Sequence, residues 1–220
     1  MRNVSVALFA AIIVTCVAAN ATVLTSWTGG SLQSMPAINY FGPGPQSFGT
    51  GITWASTNAS IQGGSVFGFT QPYGYFTNGL WDGALGPMAG LNDSSNSIFP
   101  ATDTMTFSFA TPVQSVGGFI NYDPRFDTPT TIAVWDNGGH LIESYNLTFN
   151  FNNLCPVDCG MMLGFAESSA IIGSFTLTDH YIGIVNLTTN FSSSTPEPSS
   201  LLLLGSGAVG LFGVIRRKMS

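Results

Sequence analysis

Thr104-Met105-Thr106-Phe107-Ser108-Phe109 is the stretch of sequence that decides the fold class. Met105, Phe107 and Phe109 alternate with residues that carry hydroxyl groups. Successive side chains of a β-strand point to opposite faces of the sheet, so this alternation places the three apolar side chains on one face. The pattern predicts a half-buried β-strand.

The sequence on the C-terminal side of this stretch continues the β pattern. Thr111-Pro112 predicts a turn, and residues 116–122 predict the next strand. Residues 131–135 and 140–148 flank Asp136-Asn137-Gly138-Gly139, whose Asn and Gly residues readily adopt the positive φ of a tight turn. A β-hairpin is therefore predicted there.

Three further strands are predicted downstream, at residues 161–165, 171–178 and 181–188. In the second of them, Ile171, Phe175 and Leu177 are predicted to share the buried face. Residues 28–100 are rich in Gly, Pro, Ser and Asn and predict short strands with long loops. No helical periodicity occurs between the two ends of the chain, so the fold class is all-β, with an antiparallel β-sandwich as its architecture.

The N-terminus has the three parts of a secretory signal peptide. Met1-Arg2-Asn3 is basic, residues 4–17 are apolar, and Ala19-Asn20-Ala21 fits the small-x-small pattern of signal peptidase cleavage. We predict a signal helix within residues 1–21, removal by signal peptidase, and a mature chain that begins at Thr22.

The C-terminus combines Pro196-Glu197-Pro198, an uncharged apolar stretch, and the basic cluster Arg216, Arg217 and Lys218. Residues 199–215 predict a transmembrane helix, although the 15 residues from 201 to 215 would span only about 22 Å of a hydrocarbon core of about 30 Å. The basic cluster would stay in the cytoplasm and leave Glu197 outside. The two prolines favour an extended conformation that a protease cleft can bind.

This order of features resembles the PEP-CTERM sorting signal of Gram-negative bacteria, and the resemblance covers residues 195–220. It implies an exosortase-type processing enzyme as a partner. It also implies export, transient anchoring in the inner membrane, and release to the cell surface or the extracellular space. A plain C-terminal membrane anchor is the alternative interpretation.

The region between the two ends, residues 22–194, is predicted to be one ectodomain. Residues 107–119, the hairpin 134–142 and the segments 163–165 and 171–175 resemble the jelly-roll ectodomains found ahead of PEP-CTERM tails. The resemblance implies a jelly-roll-like sandwich. It departs from those domains at Gly183-Ile184-Val185-Asn186, where they commonly have Gly-Ile-Asp-Asn.

Charge excludes one class of function for the ectodomain. Arg125 is its only basic residue and ten acidic residues oppose it, which gives a net charge of −9. Nucleic-acid binding needs a basic face, so it is not expected.

Cys155 and Cys159 are the two cysteines that remain after removal of the signal peptide. An even number of cysteines outside the cytoplasm favours a disulfide between them. A metal site and a redox dithiol are the alternatives, although neither histidine lies at ligand spacing from the pair and a redox motif usually has two intervening residues.

Signatures of catalysis are missing from the sequence. It has no Gly-x-Ser-x-Gly, no phosphate-binding glycine loop and no His-Glu-x-x-His. His140 and His180 are the only candidates for a catalytic base, and Glu143 with Glu167 is a candidate glycosidase pair. Each has a simpler interpretation as ordinary polarity, so a catalytic function is not expected.

Two kinds of ligand are considered for the ectodomain. Trp54, Tyr73 and Trp81, with Tyr75 and Phe76 beside them, lie in or near the Gly-rich loops and could stack on sugar rings. The alternative is that they pack beneath the loops as a small second core.

Calcium is the second ligand considered. Asn92-Asp93-Ser94 and the pair Asp123 with Asp127 offer oxygen ligands, but their spacing fits no calcium loop. We therefore expect no cofactor.

Together, these features predict a secreted or surface-associated, non-catalytic protein in an extracellular matrix or biofilm. A lectin-like module that binds polysaccharide is the alternative, and a hydrolase is less favoured.

Overall fold

A computed structural model describes residues 23–59, 64–92, 102–125 and 129–193, with residues 192 and 193 described by their backbone alone. These residues form seventeen strands and one short 3-10 helix. The strands are β1 Trp27–Thr28, β2 Ser31–Leu32, β3 Tyr40–Phe41, β4 Gln46–Phe48, β5 Ile52–Ser56, β6 Ser65–Phe69, β7 Tyr73–Gly74, β8 Leu80–Trp81, β9 Met88–Leu91, β10 Asp103–Val113, β11 Ser115–Tyr122, β12 Thr131–Trp135, β13 Leu141–Asn146, β14 Met161–Ala166, β15 Ile172–Asp179, β16 Ile182–Thr189 and β17 Ser192–Ser193. The 3-10 helix, Phe76–Asn78, lies between β7 and β8.

Two large antiparallel sheets make up the architecture. One has six strands in the order β13-β12-β15-β10-β5-β4, and the other follows the order β14-β11-β16-β9-β6-β3, with β2 also paired to β16. Every strand pairing is antiparallel. The all-β class and the antiparallel β-sandwich are therefore confirmed, whereas the jelly-roll subtype stays a prediction.

The main core lies between the two sheets. Met105, Phe107 and Phe109 of β10 all belong to it, as their alternation predicts. Aromatic contacts join the sheets, because Trp54 of β5 stacks on Phe67 of β6 with ring centroids 5.2 Å apart. Burial of this apolar surface is the principal stabilising contribution to the sandwich.

A second core covers the outer face of the seven-stranded sheet. Adjacent residues of one strand point to opposite faces, so Phe67 of β6 enters the main core while Val66 enters the second. The same division separates Ile184 from Val185 in β16. The β7–β8 hairpin closes this second core from outside, and its members are Val66, Tyr73, Tyr75, Trp81, Met88 and Val185.

Two local predictions are wrong. Thr111-Pro112 does not make a turn, because β10 continues to Val113 through an irregularity in its pairing with β15 between Ser108 and Val113. Ile171 does not share the buried face of β15. It precedes the strand and is exposed, and Ile172 takes the buried position opposite Val113.

The two ends of the described chain are joined to each other. β1 pairs with β17 through Trp27 opposite Ser193 and Thr28 opposite Ser192. The indole of Trp27 stacks on the ring of Phe191 with centroids 4.3 Å apart. Residues 27 and 193 therefore lie side by side at one corner of the sandwich.

The predicted signal helix within residues 1–21 and the predicted transmembrane helix at 199–215 lie outside the described residues. Within the four described ranges, no helix is long and apolar enough to cross a membrane.

Candidate functional site

The aromatic residues predicted to stack on sugars are mostly buried. Trp54 is 0% exposed in the main core, and Tyr73, Tyr75 and Trp81 lie in the second core. The indole N–H of Trp81 donates to the carbonyl of Cys159 at 2.6 Å. Of the two interpretations left open for Trp54, Tyr73 and Trp81, the structure supports packing and not sugar stacking, because burial leaves no ring face open to a ligand.

Phe76 is the exception within that aromatic group. Its side chain is 57% exposed, and its backbone has φ of 51°, in the left-handed region that bulky residues rarely adopt. Such a conformation costs about 1–3 kcal/mol and persists only where the surroundings fix it. An exposed aromatic ring is thus held in a strained turn.

Asn78 supplies much of what fixes this turn. Its side chain is fully buried, donates to the carbonyl of Tyr122 at 3.0 Å and accepts from the backbone N–H of Phe151 at 2.8 Å. Its own carbonyl accepts from the amide of Asn121 at 2.9 Å. The turn is therefore bonded to β11 and to the segment after β13.

The guanidinium of Arg125 lies over the Phe76 ring, with Cζ 3.7 Å from the ring centroid. Asp123, which is buried, accepts hydrogen bonds from Nε and Nη2 of Arg125. These bonds raise the pKa of Arg125 above its usual value. No described residue accepts a hydrogen bond from Nη1, and the Arg125 side chain is 53% exposed.

A disulfide between Cys155 and Cys159 closes the loop beside this turn. The N–H of Leu80 donates to the carbonyl of Pro156 at 2.9 Å, and the N–H of Asp158 donates to the carbonyl of Leu80 at 2.7 Å. The loop is therefore bonded directly to β8.

A cavity of about 380 Å³ opens between the Phe76 turn and this loop. Its walls are formed by Phe76, Leu80, Asn153 and Pro156, with Gly74 and Gly79 between them. Its volume lies at the lower end of the range typical of small-molecule sites, about 300–1,000 Å³.

The two glutamates considered as a glycosidase pair lie on edge elements of the two sheets. Glu143 of β13 pairs with the buried Val134, and Glu167 follows β14. Glu143 Oε2 and Glu167 Oε1 are shielded from solvent and have no hydrogen-bond partner among the described residues. Burial, and secondly repulsion from Glu167, raises the pKa of Glu143 to about 7. The structure thus brings these two carboxyl groups into electrostatic contact, but neither lines the cavity at Phe76.

The two candidate catalytic histidines occupy different environments. His140 lies on the exposed β12–β13 hairpin, and its Nδ1 is 2.9 Å from Oδ2 of Asp136. His180 is buried, and its backbone N–H donates to Asp179 at 2.6 Å.

Asp179 itself is fully buried and also accepts from the hydroxyl of Thr130 at 2.8 Å. Burial raises the pKa of Asp179 to about 7, although these hydrogen bonds act to lower it.

The candidate calcium ligands lie partly inside and partly outside the described residues. Both carboxylate oxygens of Asp123 are engaged by Arg125, so Asp123 is already neutralised by a cation. Asp93 and Asp127 lie outside the described residues. Among the residues that the structure describes, no group of three or more His, Cys, Asp or Glu side chains is placed to hold a metal ion.

Sequence reasoning missed the pairing of Phe76, Arg125 and Asp123. A signal was present, since Arg125 is the only basic residue in residues 22–194 and a lone cation among ten acids needs a local partner. The spacing Asp123-Pro124-Arg125 points to that partner. Contact with Phe76, 49 positions earlier, depends on tertiary structure.

The sorting residues Pro196, Glu197 and Pro198 and the basic tail Arg216, Arg217 and Lys218 lie outside the described residues. They begin almost directly after β17, which ends at Ser193. The described part of the molecule is thus a β-sandwich domain, and a C-terminal segment follows it directly.

That segment is a PEP-CTERM protein-sorting motif, matched over residues 194–218. No curated protein and no solved structure matches the chain. The motif indicates export and sorting to the cell surface by an exosortase-type system.

Proposed function

We propose that the β-sandwich is a non-catalytic protein that an exosortase-type system releases to the cell surface for a role in the extracellular matrix or biofilm. The observation that carries the proposal is the position of the sorting motif. It starts at residue 194, and the last strand of the sandwich, β17, ends at Ser193.

This arrangement supports a processing route in which the folded domain stays intact after two proteolytic cleavages. Signal peptidase would act before Thr22 and the exosortase near Pro196-Glu197-Pro198. Both positions lie outside the pairing of β1 with β17. In this route, residues 199–215 anchor the precursor in the inner membrane, and the basic tail keeps its end in the cytoplasm.

The test is fractionation of cells that carry or lack the exosortase, using the full-length chain. Replacement of Pro196, Glu197 and Pro198 by alanine should leave the precursor unprocessed in the membrane fraction. The matched control is Ser199→Ala with Ser200→Ala, which changes the adjacent residues and should be processed normally. Unchanged processing and location of the triple variant would disprove the sorting route.

The non-catalytic part of the proposal is supported by the placement of the candidate groups. His140 lies on an exposed hairpin, His180 is buried beside Asp179, and Glu143 and Glu167 lie away from the Phe76 cavity. The corresponding test is a screen of the full-length chain against glycoside and ester substrates. Turnover that is lost on Glu143→Gln would overturn it.

A further inference from the structure

Phe76 and the cavity that it lines together have the properties of a binding site. The Phe76 ring is more than half exposed and lines a cavity of about 380 Å³. The turn that presents it is strained, yet it is fixed by the buried Asn78 and lies beside a disulfide-closed loop. Strain of this kind, held in place by its surroundings, is concentrated at functional sites.

The chemistry of the site selects the kind of ligand. Arg125 covers one face of the Phe76 ring, so Phe76 offers its other face as an apolar surface. Asn153 adds a side-chain amide at the cavity wall, which can both donate and accept. A ligand that presents an apolar ring face and several hydroxyl groups at its edge satisfies both, and a saccharide has that pattern.

Charge decides between neutral and acidic saccharides. Arg125 is already neutralised by Asp123, and residues 22–194 carry a net charge of −9. A polyanion would therefore be repelled by the domain as a whole and would meet no free cation at the site. The binding of a neutral sugar is not weakened by this negative charge.

We infer that the cavity between the Phe76 turn and the Cys155–Cys159 loop binds one ring of a neutral saccharide. Phe76 stacks on the sugar ring with the face that Arg125 does not cover, and the side-chain amide of Asn153 bonds to a ring hydroxyl. This goes beyond the sorting route, since it concerns the sandwich itself, and the sorting assay is independent of it.

Gly74 provides a variant that closes the cavity without altering Phe76 or Arg125. A Cβ built at Gly74 would have Leu80 Cδ1 at 3.9 Å as its nearest neighbour, and the φ of Gly74 is not positive. Gly74 lies in β7, where valine is a favourable residue. Gly74→Val therefore fills the space with little effect on folding.

The test uses the full-length chain in detergent on an array of neutral and acidic glycans, followed by titration with the best-bound glycan. Neutral glycans should bind, and Phe76→Ala and Gly74→Val should each weaken binding about tenfold. Phe41→Ala is the matched control, because Phe41 is a half-exposed phenylalanine on β3, away from the cavity. It should leave binding unchanged.

Three results would overturn the inference. They are the absence of any neutral glycan bound at millimolar concentration, binding confined to acidic glycans, and full binding by Phe76→Ala. Sedimentation of the same samples tests self-association of the chain through Leu154, which neighbours the cavity residues Asn153 and Cys155 in sequence and is 88% exposed. Self-association that Leu154→Ala abolishes, without glycan binding, would likewise replace the saccharide by a protein partner.

Discussion

The main core and the second core are built from different residues and perform different tasks. The main core joins the two sheets through apolar side chains such as Phe165 of β14 and Phe175 of β15, whose ring centroids are 6.2 Å apart. The second core has three Tyr and Trp side chains at a short hairpin. Tyr73 and Trp81 donate to the backbone carbonyls of Leu91, at 2.7 Å, and Cys159, at 2.6 Å, and the Tyr75 hydroxyl donates to the sulfur of Met88. The first stabilises the fold, and the second positions an exposed turn on it.

The largest expected effect is in the main core. Phe107 is fully buried on β10, the longest strand, which pairs on both sides, so Phe107→Ala should lower the free energy of unfolding by about 3–5 kcal/mol. Denaturant titration measures the change, and hydrogen exchange should accelerate in all long strands together. Acceleration restricted to β10 would mean that the sheets do not unfold as one unit.

The next effect concerns Asp179, a buried acid at the end of the main-core strand β15. Its pKa of about 7, against 3.8 when unfolded, means that the folded protein keeps a proton that the unfolded chain releases. Stability should therefore fall as pH rises from about 4 to about 7, by up to about 4 kcal/mol. Asp179→Asn should remove most of this slope in urea titrations at pH 4, 6 and 8.

A flat pH profile in the wild-type protein would show that hydrogen bonds from Thr130 and His180 compensate for burial of the charge. Glu143→Gln serves as the comparison variant. The pKa of Glu143 is raised in the same direction, but its side chain is only partly buried, so the change should be smaller.

The second core should respond locally. Trp81→Ala removes a buried indole and its bond to Cys159, at a cost of about 3 kcal/mol, because the hairpin can relax toward solvent more easily than the sheets can. Hydrogen exchange should rise in β7, β8 and the Phe76 turn while β10 and β15 stay protected. Equal exchange in all strands would erase the distinction between the two cores.

The smallest effect is expected from the disulfide. Replacement of Cys155 and Cys159 by serine should cost about 2 kcal/mol, since the closed loop is short. The loop bonds to Leu80, so faster exchange should appear at β8 before it appears elsewhere. Wild-type protein under reducing conditions is the control and should behave like the double variant.

The difference between the main core and the second core also explains which features the sequence could predict. Alternation in β10, and the Asn-Gly run between β12 and β13, are local signals, and both elements occur in the structure. The second core has no such signal, because its aromatic residues come from two-residue strands whose burial depends on the sheet beneath them. The sequence left two interpretations open for Trp54, Tyr73 and Trp81, burial in a core or stacking on sugar rings. The tertiary structure shows that these residues are buried.

Both errors lie where the pairing of β10 with β15 is irregular. From Ser108 to Val113 the chain of β10 advances five positions, while β15 advances only two, from Ser174 to Ile172. The extra residues of β10 include Thr111 and Pro112, and nothing in a single sequence records such an irregularity. The exposure of Phe76 could not be predicted from the sequence either. It depends on a left-handed backbone conformation, which phenylalanine rarely adopts.

The pairing of β1 with β17 also has a mechanical consequence. A domain tethered by its tail receives any pulling force at Ser193, where β17 is held by only two register pairs and by the stack of Trp27 on Phe191. Force along the tether would separate this corner first. The long strands of the two sheets would bear load only afterwards. The β1–β17 pairing would therefore separate under a force at which the sandwich stays folded.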